Sequence, residues 1–262
     1  MDEEMKQDVT PQQENTPNIH GRHGVRGLSR QYYRANKRAR AVLFTIIGIL
    51  LLFVAIFLMG NVMAKESNML INAEKNSGYI SLSETLEGFD NGEARTMLYA
   101  KGVDRQSPID GDKSIPSNLH DLDGSNNGIN YFAYTYYLKN VGESILHLNT
   151  KYDVTLNAKG FGDAIRVEIY TTYLYTGETT RYRYAAPAAN GFAEPFSYTN
   201  SLKTCVSFLS PLVILDDNVN VPPEGIIKYT VIVYLEGNDP ECIDDILGGS
   251  FGFAITHTKK NT

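Results

Sequence analysis

Residues 229–235 read YTVIVYL, and nearly every side chain in this stretch is apolar or aromatic. Val, Ile and Tyr favour extended backbone, and apolar residues on both faces of a strand are typical of the middle of a sheet. The stretch therefore predicts a central β-strand within residues 228–236.

The rest of the chain from Lys65 onward repeats this pattern, with short β-branched and aromatic runs separated by turn residues. Residues 164–173 (AIRVEIYTTY) alternate apolar and polar side chains, which indicates one buried and one solvated face. Further strands are predicted at 129–139, 152–157, 164–175 and 250–257, and weaker ones at 94–100, 179–184, 204–209 and 212–215. We therefore predict an all-β sandwich or barrel with one short helix at 240–247, capped by Asp239 and closed by Gly248 and Gly249.

The longest apolar run lies earlier, at residues 41–59, and contains no charged side chain. A helix of roughly 20 apolar residues crosses the core of a bilayer, so we predict a transmembrane helix at residues 41–63. Every charge between Glu14 and this run is basic. Because cytoplasmic flanks are enriched in Lys and Arg, we predict a single-pass protein of the cell membrane, with its N-terminus in the cytoplasm and its C-terminal domain extracellular.

Charge divides the chain in the same way. Residues 1–40 hold 8 basic and 5 acidic residues, whereas residues 65–262 hold 16 basic and 25 acidic ones. The polar segment 1–27 is predicted to be a disordered cytoplasmic tail, and 28–40 a basic juxtamembrane segment. The basic side chains predicted to contact anionic lipids of the bilayer, rather than nucleic acid, are Arg30, Arg34, Lys37, Arg38 and Arg40.

A small-residue site, Val62-Met63-Ala64, follows the run and suits cleavage of a signal peptide after Ala64. A signal peptide, however, has a shorter apolar core and a shorter N-terminal region than this chain has. We therefore favour an uncleaved signal anchor, followed by a linker at 64–80 and an extracellular β-domain at 81–262.

The exterior part holds two cysteines, Cys205 and Cys242. Thiols outside the cytosol tend to oxidise, so one interpretation is a disulfide that closes about 38 residues and stabilises the fold by on the order of 3–4 kcal/mol. The other is a pair of separate buried thiols. The Cys-x-x-Cys spacing is absent, so a structural role is favoured over redox chemistry.

An acidic loop precedes the strand at 129–139. It reads DLDGSNNG at 121–128, which places oxygen donors in turn-forming sequence, as a calcium site requires. It lacks the spaced Glu of an EF-hand, so an ordinary solvated turn is the alternative. Asp121 and Asp123 are the candidate calcium ligands, and no other cofactor is indicated.

No motif in the exterior part indicates catalysis. The sequence lacks a Gly-x-Ser-x-Gly nucleophile elbow, a phosphate-binding glycine loop and a His-Glu-x-x-His zinc motif. Its exterior histidines are His120, His147 and His257. Tyr is abundant, and an exposed Tyr ring offers apolar area with a polar tip to a sugar or a partner protein. A binding role is favoured over an enzymatic one.

The stretch KYTVIVYLEGNDPECIDDILGG at 228–249, together with DLDGSNNG at 121–128 and NYFAYTYYLKN at 130–140, resembles surface proteins of Gram-positive bacteria similar to camelysin and the TasA-type biofilm-fibre proteins. The resemblance covers most of the exterior domain and implies a jelly-roll β-sandwich. The long basic N-terminal tail and the predicted retained anchor depart from that family.

Three functions are open as hypotheses. The leading one is a non-enzymatic, membrane-anchored surface protein for envelope or matrix structure or adhesion, with a cell-wall or matrix polymer or another surface protein as its partner. The second is an extracellular ligand-binding or sensory module that signals through the helix to the cytoplasmic tail. The third is a wall-modifying enzyme, which needs a pocket with convergent carboxylates.

Overall fold

The computed structural model describes residues 42–50, 69–74, 78–104, 106–199 and 202–260. The chain divides into two units, Met1–Gly60 and Asn61–Thr262. In the first unit, residues 42–50 are helical and belong to the predicted span at 41–63. Within the described ranges no helix has both the length and the apolar character needed to cross a membrane. The predicted tail, the basic residues from Arg30 to Arg40 and the site at Ala64 lie outside the described residues.

The second unit consists of strands joined by turns. Its described strands are β1 (Met69–Ala73), β2 (Ile80–Ser83), β3 (Met97–Ala100), β4 (Gly124–Ser125), β5 (Tyr131–Asn140), β6 (Leu146–Ala158), β7 (Ile165–Tyr173), β8 (Glu178–Ala185), β9 (Val206–Ser207), β10 (Val213–Val221), β11 (Ile226–Leu235) and β12 (Ser250–Lys259). One helical turn (Gly111–Ser114) and four 3-10 turns (Glu87–Phe89, Leu119–Asp121, Phe161–Asp163 and Asp244–Ile246) lie between them.

The strands form two sheets that enclose one core, so the predicted all-β sandwich is confirmed. Sheet A has the order β10-β6-β12-β1-β3, and sheet B has the order β2-β5-β11-β7-β8-β9, with β4 also paired to β5. Neighbours are antiparallel except β1 with β12 and β8 with β9, which are parallel. Both sheets contribute apolar side chains to the core between them.

Side-chain alternation explains this packing. In β6, Leu146, Leu148 and Tyr152 are fully buried, while the residues between them on the other face are partly exposed. Strand β11 lies between β5 and β7 and is buried on both faces from Tyr229 to Leu235, which confirms the predicted central strand. Each buried Leu or Val side chain stabilises the fold by roughly 1.5–3 kcal/mol.

A histidine is embedded in this core. His257 is fully buried, with its Nε2 3.0 Å from the Tyr136 hydroxyl and its Nδ1 2.9 Å from Oγ1 of Thr150. Burial lowers the pKa of His257 to about 3. The ring is therefore neutral, and one tautomer supplies the donor and the acceptor that the two hydroxyls need.

The predicted linker at 64–80 is wrong in part, because it contains β1. This strand alternates buried and half-buried side chains and lies between β12 and β3. Five residues are too few for periodicity to distinguish a strand from a linker. The pairing that stabilises β1 comes from strands that are distant in the sequence.

The predicted helix at 240–247 is also wrong. Asp239 does accept the backbone N–H of Glu241 at 2.8 Å, as a cap does, but only turns and the 3-10 turn Asp244–Ile246 follow. Ile246 is buried against Ala164 and Leu235. Anchoring this one side chain to the sandwich needs a single turn, and tertiary packing outweighs the local helical preference.

Candidate functional site

The outer face of sheet A carries rows of polar side chains that are exposed or half-buried. The pairing of β10, β6, β12, β1 and β3 sets these rows. One row contains Asn220 and His147, and the next contains Asn218, Asn149 and Thr258. The third contains Asp216, Lys151, Thr256 and Asn72, and the apolar Met97 follows Asn72 on the end strand. Rows of this kind repeat about every 4.8 Å across strands and roughly 6.6 Å along them, so the face is broad.

Hydrogen bonds hold these side chains in place. The Asn149 amide donates to Oδ1 of Asp216 at 2.5 Å and accepts from Oγ1 of Thr258 at 3.4 Å. Nδ1 of His147 lies 2.7 Å from Oδ1 of Asn220. A shallow depression of about 550 Å³ lies over Asn149, Asp216 and Thr258. The face thus presents ordered amide, carboxylate and hydroxyl groups.

An aromatic edge adjoins these rows. Met97 and Tyr99 on β3 are more than half exposed, at 56% and 55%, while Leu98 and Ala100 between and beside them are buried. Strand β3 ends sheet A, so the Tyr99 ring is open to solvent beside the polar rows. Amide groups next to an exposed ring suit a ligand that has both hydroxyl groups and apolar C–H surface, as sugars have.

Much of the outer face of sheet B is covered instead. Leu119 packs there against Ala133, Ile232 and Tyr234. Arg166 on β7 contacts two loops, because its Nη2 lies 2.6 Å from Oδ2 of Asp239 and 3.4 Å from Oε2 of Glu194. These three side chains are at most 3% exposed.

A second buried arginine fastens the covering segments further. Nη2 of Arg183 lies 3.0 Å from Oε2 of Glu168, and its Nη1 lies 3.1 Å from Oδ1 of Asp112 and donates to the Phe196 carbonyl. Gly111 beside Asp112 is required here, because a Cβ would lie 2.3–2.4 Å from the ring of Tyr234. Unpairing a buried charge is strongly destabilising, so this network has a structural role.

Three carboxylates converge at one end of the network. The ligand oxygens of Glu194, Asp239 and Glu241 lie within 4.8 Å of one another, close enough for one cation. Burial and the neighbouring Glu241 carboxyl raise the pKa of Asp239 to about 7, although Arg166 opposes the shift. The Arg166 guanidinium already balances part of this negative charge, and the cluster gives no reason to place a metal there.

The predicted calcium ligands lie apart from this cluster. Asp123 accepts the Tyr137 hydroxyl at 2.6 Å and lies 3.3 Å from Nζ of Lys228. Asp121 is exposed and lies 3.5 Å from the His120 ring. A calcium ion at Asp123 has to displace a lysine ammonium, which lowers the affinity expected for this pair.

Both cysteines are free thiols in the structure, so the predicted disulfide is absent and the alternative of separate thiols is found. Cys205 is buried and donates to the Pro195 carbonyl at 3.4 Å, while Cys242 is half-buried. Burial raises the pKa of Cys205 to about 11 and also raises that of Cys242. Neither thiol is activated as a nucleophile.

The polar rows of sheet A were not predicted from the sequence. In β10 the central residues are DDNVN, which read as a loop because the strand lies at the sheet edge with one face in solvent. A signal was present in β6, where residues 146–154 (LHLNTKYDV) alternate between apolar and polar side chains except at Thr150. Of the histidines described in the second unit, His147 belongs to this face, His257 is buried in the core, and His120 stacks on Tyr170 at 4.8 Å.

Comparisons with family models, with curated proteins and with solved structures found no match to this chain.

Proposed function

We propose that this protein is a membrane-anchored surface protein whose β-sandwich lies outside the cell and binds an envelope or matrix polymer without catalysing a reaction. The observation that carries the proposal is the contrast between the two sheets. Sheet B is covered by segments fastened through buried ion pairs, whereas sheet A presents open rows of ordered polar side chains. A broad polar face suits an extended, hydroxyl-rich polymer.

The architecture is compatible with the resemblance to the camelysin and TasA-type proteins. The long strands follow the orders β10-β6-β12-β1 and β5-β11-β7-β8, which supports a jelly-roll topology made of two interlocked Greek keys. The parallel pairing of β1 with β12 departs from a fully antiparallel arrangement. Membership of that family stays a prediction.

The proposed location rests on the apolar run at 41–59 and its basic flank. Epitope tags at the two ends of the full chain test it. Antibody against the C-terminal tag should label intact cells, whereas the N-terminal tag should require permeabilised cells. Labelling of the N-terminal tag on intact cells, or release of the C-terminal tag into the medium, argues against an anchored, N-in protein.

Polymer binding is tested by co-sedimentation of the full-length, detergent-solubilised protein with purified cell-wall and matrix polysaccharide. A double variant, Asn149→Leu with Thr258→Val, removes polar groups from the middle of the face. Loss of two hydrogen bonds of about 0.5–1.5 kcal/mol each should weaken binding roughly tenfold. The control is Thr179→Val on the exposed part of sheet B. Equal binding by all three proteins, or binding by none, contradicts the proposal.

A further inference from the structure

A second concave surface lies at one end of the sandwich, away from the rows of sheet A. It is a groove of about 540 Å³ between residues 103–104, 106 and 108 on one side and the turn at 242–250 on the other, with Phe161 at its base. Val103 and Phe161 are half-buried in it, while Ile243 and Leu247 on its rim are 53% and 64% exposed. The groove therefore offers apolar surface to a ligand.

The turn that forms one wall is held in place. Gly249 approaches its neighbours so closely that a Cβ would lie 2.7 Å from the Ala158 carbonyl oxygen and 2.8 Å from that of Ile246. Nζ of Lys159 donates to the carbonyl of Leu247 at 2.8 Å. The groove is thus formed before any ligand binds, which lowers the entropic cost of binding.

Two carboxylates and one unpartnered carbonyl oxygen lie among the polar groups that line the groove. Asp104 and Asp244 carry carboxylates that make no ion pair with any residue in the described ranges. Oε1 of Gln106 is buried and has no hydrogen-bond partner there. A buried acceptor without a partner is costly, so a donor from a ligand would be stabilising.

From the apolar surface and the unmatched acceptors, we infer that this groove binds a peptide segment in which a Lys or Arg lies next to an apolar side chain. The apolar side chain packs on Phe161, Ile243 and Leu247, and the cation pairs with Asp104 and Asp244. An anionic ligand meets two carboxylates and is repelled. The neighbouring slot between the sheets has only about 20 Å³ of free space, so it does not admit a side chain and the ligand stays in the groove.

Three N-acetylated, C-amidated fluorescent peptides test this on the full-length protein in detergent. They are Leu-Lys-Phe, the neutral Leu-Gln-Phe and the polar cation Ser-Lys-Ser. Leu-Lys-Phe should bind saturably by fluorescence anisotropy, with a Kd below roughly 1 mM. Its affinity should be at least fivefold higher than that of either other peptide.

Variants locate the site. Leu247→Ser should weaken Leu-Lys-Phe binding about fivefold, and Asp104→Asn with Asp244→Asn should abolish the preference for Leu-Lys-Phe over Leu-Gln-Phe. Leu202→Ser is the matched control, because Leu202 is 90% exposed and does not line the groove. Cys242 does line it, so in a Cys205→Ser variant the peptide should slow alkylation of Cys242 at least threefold.

Lack of saturable binding, equal affinity for the neutral peptide, or binding without protection of Cys242 each overturns the inference. The result is independent of the proposed polymer binding, because the Asn149 and Thr258 variant of sheet A should leave peptide affinity unchanged.

Discussion

The buried His257 gives the sandwich a specific pH dependence. In the folded protein burial lowers the pKa of this histidine from the reference value of 6.5 to about 3. Below pH 6.5 the imidazole of His257 is protonated in the unfolded chain but stays neutral in the folded protein. The free energy of unfolding therefore decreases as the pH is lowered from 6.5 to about 3. With these two values, lowering the pH from 7 to 4.5 costs about 2.5 kcal/mol through His257 alone.

The variant His257→Gln removes the titrating group and keeps a donor and an acceptor for the Tyr136 and Thr150 hydroxyls. Its stability at pH 7 should fall by about 1–3 kcal/mol, because the buried hydrogen bonds are perturbed. When the pH is lowered from 7 to 4.5, however, the free energy of unfolding of this variant should decrease by about 2.5 kcal/mol less than that of the unmodified protein.

The measurement is urea unfolding of the full-length protein in nonionic detergent, followed by tyrosine near-UV circular dichroism, at both pH values. The chain has 17 Tyr and no Trp, so this signal reports on the Tyr-rich sandwich. His147→Gln on the outer face of sheet A is the control and should keep the pH dependence of the unmodified protein. If His257→Gln keeps it as well, the core histidine does not cause the acid loss of stability.

Three further outcomes are expected. Arg166→Met leaves buried carboxylates without their partner, so it should lower the free energy of unfolding, measured in urea, by about 3–5 kcal/mol. Arg181→Met replaces a half-exposed side chain and should lower it by less than about 1 kcal/mol. Isothermal titration with millimolar calcium should give no heat, because a lysine already neutralises Asp123; heat that Asp123→Asn abolishes would restore the calcium site. When the protein is unfolded without reductant in the presence of N-ethylmaleimide, the reagent should alkylate both Cys205 and Cys242. If neither cysteine is alkylated, a disulfide forms in cells.

The strands with the strongest alternation were predictable because their burial depends on residues close in sequence. The strand predicted at 164–175 is found at Ile165–Tyr173, and the one at 250–257 is found at Ser250–Lys259. The strand predicted at 152–157 is only the second half of Leu146–Ala158, because Asn149, Thr150 and Lys151 interrupt the alternation in the first half. The predicted strand at 204–209 shrinks to Val206–Ser207, because only these residues pair with β8.

The functional surfaces were less predictable, since they depend on which distant segments cover which face. Arg166 and Glu168 alternate with apolar residues and were expected in solvent, yet both are buried under loops that carry Asp239 and Phe196. Nothing local to β7 indicates that cover. Asn149 becomes part of a broad face only when β10 and β12 pair on both sides of β6.

The position of β1 has a mechanical consequence. It is the first described strand of the second unit, and it lies between β12, with which it runs parallel, and β3. A pull on the chain that enters β1 acts along the strand axis, so its backbone hydrogen bonds to both neighbours are loaded together in shear rather than opened one after another. In a protein tethered through its N-terminus, the domain would then resist tension from a bound polymer at the strand where that tension enters.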